Sequence, residues 1–549
     1  LGFNPLIFVS FSARLSKSWP AIAEPCRFAI IQAQLSPQTL ETALLLKPGS
    51  TCWRRETADR VGLIIDMADY FAAARAAMRK ARRSIHLLNW AFDPDTRFAP
   101  DGSGEGDPDG AFGPFLRDLA CQRPEVDVRI LCWRSALPVA ATQNFFPHRA
   151  KACFENTPVK FRLDGSLPMG ACHHQKVLVV DDEIAFCGGG DIAPDRWDTS
   201  LHRDDDLRRR KRPGQFYESR HETMSVVDGA AARALGELFR MRWARSTGEA
   251  LPAPTRLADG VDLWPDEQPI AFQGATIGLS RTEPQWREYR EVREAEALHL
   301  AAIAAAKRCI YMENQYFASP IMAEALAARL AEADGPEVIL VSTQHSPSWF
   351  DQMTMDRTRV LFLKRLKASD PYDRCRAFYP LTEKGRSIIV HSKLTIIDDV
   401  LVRVGSANLN NRSTGFDTEC DLSVEAADGE AGAKTRAAIH AFRTRLLAHW
   451  LHEPAAALEA AIDAEDSLRA AIESFDGPGK LMHPIEIKPI GPFWEIVAHL
   501  HLGDPAGPTD SWRPWLRRRE LEGQIRTLAE RLDAVGLHAP ADALSPETV

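Results

Sequence analysis

The sequence predicts an α/β fold built twice over, as two layered units of about 200 residues each. Two observations predict it. Helix-like and strand-like patterns alternate along most of the chain, and three segments recur in the same order. "ARRSIHLLNWAF" (81–92) matches "AKRCIYMENQYF" (306–317): in each, the tail of a basic helix runs into an apolar strand that ends in aromatics. "VDVRILCW" (126–133) matches "PEVILVST" (336–343), and "HQKVLVVDDEIAFCGGGD" (174–191) matches "HSKLTIIDDVLVRVGSAN" (391–408) without a gap. The period is far longer than that of a solenoid repeat.

Residues 1–50 show little periodicity and read as an N-terminal extension. The first unit, 51–255, opens with a helical pattern from Asp66 to Arg83 and a strand at Ser84–Trp90. A Gly- and Pro-rich loop follows at Asp107–Pro114. Then come a further helix, a strand at Val126–Trp133, the 174–191 hairpin and an amphipathic helix at Ala230–Trp243. A polar, Pro-containing stretch at Leu251–Pro269 reads as a linker, and 256–455 repeats the unit. The apolar run Leu298–Ala306 is too short to span a bilayer and reads as a core helix. Residues 456–549 read as a mostly helical C-terminal extension with a Pro/Gly-rich interruption from Gly477 to Pro508.

Bulk composition narrows the function. The 549 residues are 45% hydrophobic and 26% charged, the balance of an ordinary globular protein. A net charge of -8 argues against a general nucleic-acid binder, though not against a local basic pocket. The ten cysteines include no CxxC pair and no metal-type spacing, and Cys187 and Cys309 read as buried thiols of a reduced compartment. The apolar run Leu6–Phe11 has no basic residue before it, and Arg14 and Lys17 follow too soon for a signal peptide. The expectation is a cytoplasmic or membrane-peripheral protein, with secretion unsupported.

The repeated hairpin carries the chemistry. Residues i and i+2 of an extended chain share a face, so His174 sits with Lys176 and His391 with Lys393. Asp181 and Asp398, five residues past each lysine, fall on the other face near a turn and are assigned structural work. Gly188, Gly189 and Gly405 end the second strand of each hairpin, where a missing Cβ lets the backbone approach a ligand. Asn408 can donate to a phosphate oxygen, whereas Asp191 at the matching place can only accept when ionised. Two such units face to face offer two histidines, two lysines and one amide, a set that suits a phosphodiester. The lysines stabilise charge on the non-bridging oxygens, one neutral histidine attacks phosphorus, and the other protonates the leaving alcohol. His173 reads as a packed neighbour. The basic run Arg208–Arg212 reads as a solvated loop, with an anionic membrane as the alternative. Asp204–Asp206 lacks calcium-loop spacing and reads as charge balance for those arginines.

At these residues the sequence resembles the phospholipase D superfamily, whose signature is a doubled HxKxxxxD. "RWDT" (196–199), "YMENQYF" (311–317) and "GSANLNNRS" (405–413), which includes Ser406, are similar to the phosphatidylcholine-hydrolysing branch shared by eukaryotes and some bacteria, and an N-terminal extension too short for a lipid-targeting module gives the expectation of the bacterial type. The resemblance implies two α-β-α sandwich domains about a pseudo-twofold axis with one shared active site. It also implies a phosphohistidine intermediate and transfer to small alcohols as well as water. It gives His174 the nucleophile's role and His391 that of the acid/base. Glu222 and Glu419 become the acids that orient the two histidines, Glu222 standing where many relatives have Asp. Because two lysines neutralise the phosphate, no metal or other cofactor is required, and calcium enters at most as a stimulant.

The expected partner is a phospholipid bilayer surface, with no nucleic acid; the oligomeric state is not legible. Three other readings share parts of the pattern. A cardiolipin-synthase-like phosphatidyltransferase uses the same chemistry but carries membrane-anchoring N-terminal segments that are not visible here. A nucleic-acid phosphodiesterase conflicts with the acidic pI. A non-catalytic acidic-lipid-binding module conflicts with the intact His, Lys and Asn set.

Overall fold

A computed structural model describes residues 44–100, 110–135, 146–211, 214–257, 261–475, 482–488, 490–508 and a few positions between 530 and 537. Most of the N-terminal extension and Arg212 lie outside the described residues.

The first half runs β1 (Arg54–Ile65), α1 (Met67–Lys80), β2 (Ser84–Asn89), α2 (Phe112–Gln122), β3 (Asp127–Trp133), α3 (Phe146–Cys153), β4 (Lys160–Asp164), β5 (Val177–Val180), β6 (Ile184–Gly188), β7 (Arg220–His221), β8 (Thr223–Asp228) and α4 (Gly229–Thr247). The second half begins with β9 (Phe272–Glu283), β10 (Val292–Arg293), α5 (Glu294–Ala305), β11 (Cys309–Glu313), α6 (Pro320–Ala331), β12 (Glu337–Val341) and α7 (Trp349–Ala368). It continues with β13 (Cys375–Pro380), β14 (Ile389–Val390), β15 (Leu394–Ile397), β16 (Leu401–Gly405), α8 (Asn411–Gly415), β17 (Glu419–Glu425) and α9 (Ala433–Leu451). After it come α10 (Ala455–Glu465), α11 (Leu468–Ser474), β18 (Met482–Pro484) and α12 (Pro492–His499).

Strand order displays the duplication. The large sheet reads β18-β13-β12-β11-β15-β16-β17-β9-β1-β8-β6-β5-β2-β3-β4. Outward from the antiparallel β9/β1 pair the two halves follow the same order, so a pseudo-twofold axis passes between those strands. Alternation along the strands sorts side chains into layers. Val177 and Val179 enter a core shared by both halves, built against α4 and α9. Leu178 and Val180 face α1 and α2 in a core of the first half, and α5, α6 and α7 cover the second half's own core. Helix, sheet and helix layers result, as the α/β expectation required.

The two aspartates of the motif do the structural work assigned to them, each within its own half. Asp181 accepts the backbone N–H groups of Arg82, Arg83 and Ser84 at 2.7, 2.7 and 2.6 Å. Asp398 accepts those of Lys307, Arg308 and Cys309 at 2.5, 2.8 and 2.7 Å. Each carboxylate closes the helix-to-strand turn that precedes the strand paired antiparallel with its hairpin. The next residue is tied to the following helix: Asp182 to Arg240 at 2.6 Å and Asp399 to Arg443 at 2.7 Å.

Three expectations shift. The 251–269 stretch is more than a linker, since Leu263 and Trp264 bury themselves in the first half's core. Cys187 is buried, but Cys309 is only half-buried. The described part of the C-terminal extension packs on the second half: β18 extends the sheet beside β13, and Asp504 accepts the backbone N–H groups of Asn411 and Arg412. None of the described helices is long and apolar enough to cross a membrane.

Candidate active site

His174 and Lys176 lie just before β5, and His391 and Lys393 just before β15, in extended chain rather than in the strands themselves. What holds them is a pairing between halves. The His174 N–H donates to the Thr418 carbonyl at 3.0 Å, and the His391 N–H donates to the His221 carbonyl at 2.8 Å. Thr418 and His221 immediately precede Glu419 and Glu222. Each histidine is thereby set beside an acid of the other half: Nδ1 of His174 lies 3.0 Å from Oε2 of Glu419, and Nδ1 of His391 lies 2.5 Å from Oε2 of Glu222. Neither half alone supplies both a motif histidine and the acid beside it.

The two histidines are not equivalent. Nδ1 of His174 also lies 3.1 Å from the backbone carbonyl of Ser406. A carbonyl only accepts, so Nδ1 carries the proton and Nε2 keeps a free lone pair. His391 has a single short contact, to Glu222. Burial pushes both histidines well below the usual imidazole range, and the neighbouring lysines push the same way. Burial pushes Glu222 up to about 7 and Glu419 well above the usual carboxylate range. Burial thus disfavours a charged imidazole beside a charged carboxylate in both pairs.

The lysines face each other electrostatically across the same site. Lys176 Nζ donates to the His174 carbonyl at 2.8 Å and sits 3.5 Å from Asp191 Oδ2. Lys393 Nζ donates to the His391 carbonyl. Burial, with Lys176 as a like-charged neighbour, lowers Lys393 to about 7. Asp191 accepts the Trp90 and Ala91 N–H groups at 3.1 and 3.2 Å, so its work is structural as well as electrostatic. Asn408 is buried, and its Oδ1 has no partner. Ser406 Oγ donates to Glu419 at 2.6 Å, fixing that carboxyl from behind.

The glycines do something other than expected. A Cβ on Gly189 would stand 2.4 Å from Glu222 Oε1 and 2.9 Å from Lys393 Cδ. On Gly188 it would strike Met224 and the Thr223 carbonyl, and on Gly405 the Asp421 carboxylate. The space freed by these residues is filled by the protein's own side chains rather than left to a ligand. His173 is a packed neighbour: it is buried, with Nε2 2.9 Å from Asp164 and Nδ1 3.2 Å from the Thr418 hydroxyl.

The charged loop is also reassigned. Arg209 is buried on Asp198 at 3.0 Å, Arg208 pairs with Asp206 at 2.6 Å, and Lys211 with Asp195 at 3.1 Å. Asp204 binds Thr382 and the Lys384 N–H, and Asp205 reaches Lys384 and Arg386, so these two acids latch onto the second half instead of balancing the adjacent arginines. Two cations beside His391 were missed. Arg196 and Arg220 both lower its affinity for a proton, and their Nε atoms are buried without partners. Arg196 opens the RWDT segment and Arg220 lies two residues before Glu222, yet no spacing rule gives either a role.

Comparison with known proteins agrees with this geometry. Residues 299–441 match the family model described as cardiolipin synthase, PLD-like domain. Phospholipase D A of Dictyostelium discoideum is 26% identical over 440 residues, covering 66% of this chain and 32% of that protein. Phospholipase D alpha 4 of Arabidopsis thaliana is 24% identical over 455 residues, covering 63% and 59%. These matches support membership of the phospholipase D superfamily. A cardiolipin synthase of Halalkalibacterium halodurans is 25% identical over 243 residues, covering 44% of this chain and 40% of that one. The chain thus spans between about a third and three fifths of the curated superfamily relatives named here.

Proposed function

We propose that this chain is a phospholipase D of the phosphatidylcholine-hydrolysing, bacterial type. It cleaves the distal phosphodiester of phosphatidylcholine-like lipids to phosphatidic acid and the head-group alcohol. The observation that carries the reading is the crossed pair of histidine–acid contacts flanked by two lysines. In the first step Nε2 of His174, its proton held at Nδ1 by Glu419 and Ser406, attacks phosphorus. The bond to the head-group oxygen breaks, and His391 gives that oxygen a proton. In the second step His391, having given up that proton, takes one from water or a small alcohol. That oxygen displaces His174 and yields phosphatidic acid or a transfer product. Lys176 and Lys393 hold the non-bridging oxygens as charge builds on them, and the amide of Asn408 is a further contact for the phosphate. No step draws on a metal or an organic cofactor.

A bilayer surface is the proposed partner. Met169, Leu201, Leu207 and Phe216 are exposed large apolar side chains on segments leading to or from the motif, and Trp349 and Phe350 are exposed at the start of α7. Such residues suit insertion among lipid head groups.

The experiment is transfer to ethanol. Protein, phosphatidylcholine vesicles and ethanol yield phosphatidylethanol by mass spectrometry, and His174→Ala yields none. An absence of product from the wild type, or its persistence in His174→Ala, overturns the proposal. A cardiolipin-synthase-like phosphatidyltransferase is the second reading, favoured by the family description over 299–441. It predicts cardiolipin from phosphatidylglycerol vesicles in place of phosphatidylethanol.

A further inference from the structure

Behind the candidate active site, four side chains converge without an evident purpose in phosphodiester chemistry. Asp66 ends the β1–α1 connection, His202 lies on the loop between β6 and β7, His221 belongs to β7, and His449 to α9. One donor atom from each lies within 4.8 Å of the other three. Asp66, His202 and His221 are 1%, 4% and 0% exposed, out of reach of bulk solvent. Asp66 Oδ2, His202 Nε2, His221 Nδ1 and His449 Nε2 are all buried atoms with no hydrogen-bond partner. His221 Nδ1 comes within 3.1 Å of Asp66 Oδ1, and His202 Nε2 within 3.6 Å of Asp66 Oδ2, so the carboxylate is the counter-charge that these ring atoms share. Four unmet donors and acceptors around one point are costly unless something occupies it.

We propose that Asp66, His202, His221 and His449 bind a zinc-type divalent metal as a closed structural site. Three imidazoles and one carboxylate form a borderline donor set that suits zinc in tetrahedral geometry. Tetrahedral ligands at about 2.0–2.1 Å stand about 3.4 Å apart, so side-chain shifts of about 1 Å close the cluster. With four protein ligands no position remains open for water or substrate. The outer contacts are those of a metal site. His202 turns its Nδ1 to Asp198 at 3.0 Å, and His221 turns its Nε2 to Glu313 at 2.9 Å; carboxylates behind ligating histidines orient the rings in this way. Duplication does not explain the cluster: in the repeat His221 matches Thr418, and Glu313 matches Leu88.

The site's place gives it a consequence. Asp66, His202 and His221 come from the first half and His449 from the second, so a bound ion ties the halves together. Asp66 Oδ1 accepts the Glu222 N–H at 3.0 Å, and Glu313 accepts the Ser392 hydroxyl at 2.7 Å. The ion thereby braces the residues on either side of the His391–Glu222 contact.

The test uses the full chain without a histidine tag. Metal analysis after purification, chelation and re-addition of zinc or cobalt should give one ion per chain, with the visible bands of tetrahedral cobalt. Refilling the stripped protein should raise Tm by about 2–5 °C. His202→Gln with His449→Gln should bind no metal and show no Tm response. His449→Gln alone, at the least buried ligand, should weaken binding at least tenfold and serves if the double variant does not fold. A wild-type chain that neither retains nor takes up zinc or cobalt overturns the proposal. So does a variant that binds them as tightly as the wild type, which would place the metal elsewhere. In the first of these results Asp66 and Glu313 simply flank a protonated His221 as its counter-charges.

Discussion

Glu419→Gln isolates the step that distinguishes the two histidines. The substitution keeps shape and leaves an amide oxygen for the Ser406 hydroxyl, but it replaces one acceptor near Nδ1 of His174 by an N–H donor. That donor favours the tautomer with the proton on Nε2, which has no lone pair for phosphorus. Loss of a comparable orienting carboxylate in a serine-protease triad costs about 10⁴ in kcat. Here the Ser406 carbonyl, 3.1 Å from Nδ1, still favours the productive tautomer. The expected loss is therefore smaller, about 10³ in kcat, or ~4 kcal/mol, with KM little changed. The assay is steady-state phosphatidylethanol formation, with a thermal melt to confirm folding. Attack itself is impaired, so a lipid with p-nitrophenol as leaving group should rescue nothing, whereas the same lipid should rescue His391→Asn. A loss in kcat below tenfold, or a loss confined to KM, would refute the assignment of Glu419 to His174.

Other expectations follow from the same geometry. Lys393 is lowered to about 7, so it loses charge as pH rises through that value, and kcat/KM should fall on the alkaline side of about pH 7. Lys393→Arg should move that limb upward, and a limb unchanged in the variant would remove Lys393 from phosphate binding. Asp181→Ala and Asp398→Ala each strip three backbone N–H groups of their acceptor and should cost about 2–4 kcal/mol in urea unfolding. The folded fraction should keep near-normal kinetics, and a selective loss of kcat would contradict a structural role. Gly189→Ala drives a Cβ against Glu222 and Lys393, both in the site, so it should abolish turnover while costing only about 1–3 kcal/mol of stability.

Much of the fold was legible because duplication reports itself in sequence. A helix read from Asp66 to Arg83 runs from Met67 to Lys80, and the strand read at Val126–Trp133 is Asp127–Trp133. The gapless match of the two hairpins was enough to bring His174, Lys176, His391 and Lys393 to one site. What stayed hidden depends on contacts between the halves. No local pattern reveals that Thr418 pairs with His174, or that each acid serves the opposite histidine. Gly189 reads the same whether a ligand or Glu222 fills the space beside it. Asp204 and Asp205 sit close to arginines in sequence, which masked their partners near Lys384 and Arg386. The Asp66, His202, His221 and His449 cluster draws on positions scattered across almost 400 residues, where no motif could show it.

The central claim is that both halves build one phosphohistidine site with His174 as the nucleophile. The most direct measurement is to trap the intermediate. His391→Asn would be mixed with the p-nitrophenyl phosphatidyl ester, quenched and digested, and the peptides read by mass spectrometry. The account predicts one equivalent of p-nitrophenol in a burst and a phosphatidyl group on His174. A burst without an adduct on that peptide, or no burst at all, would contradict it.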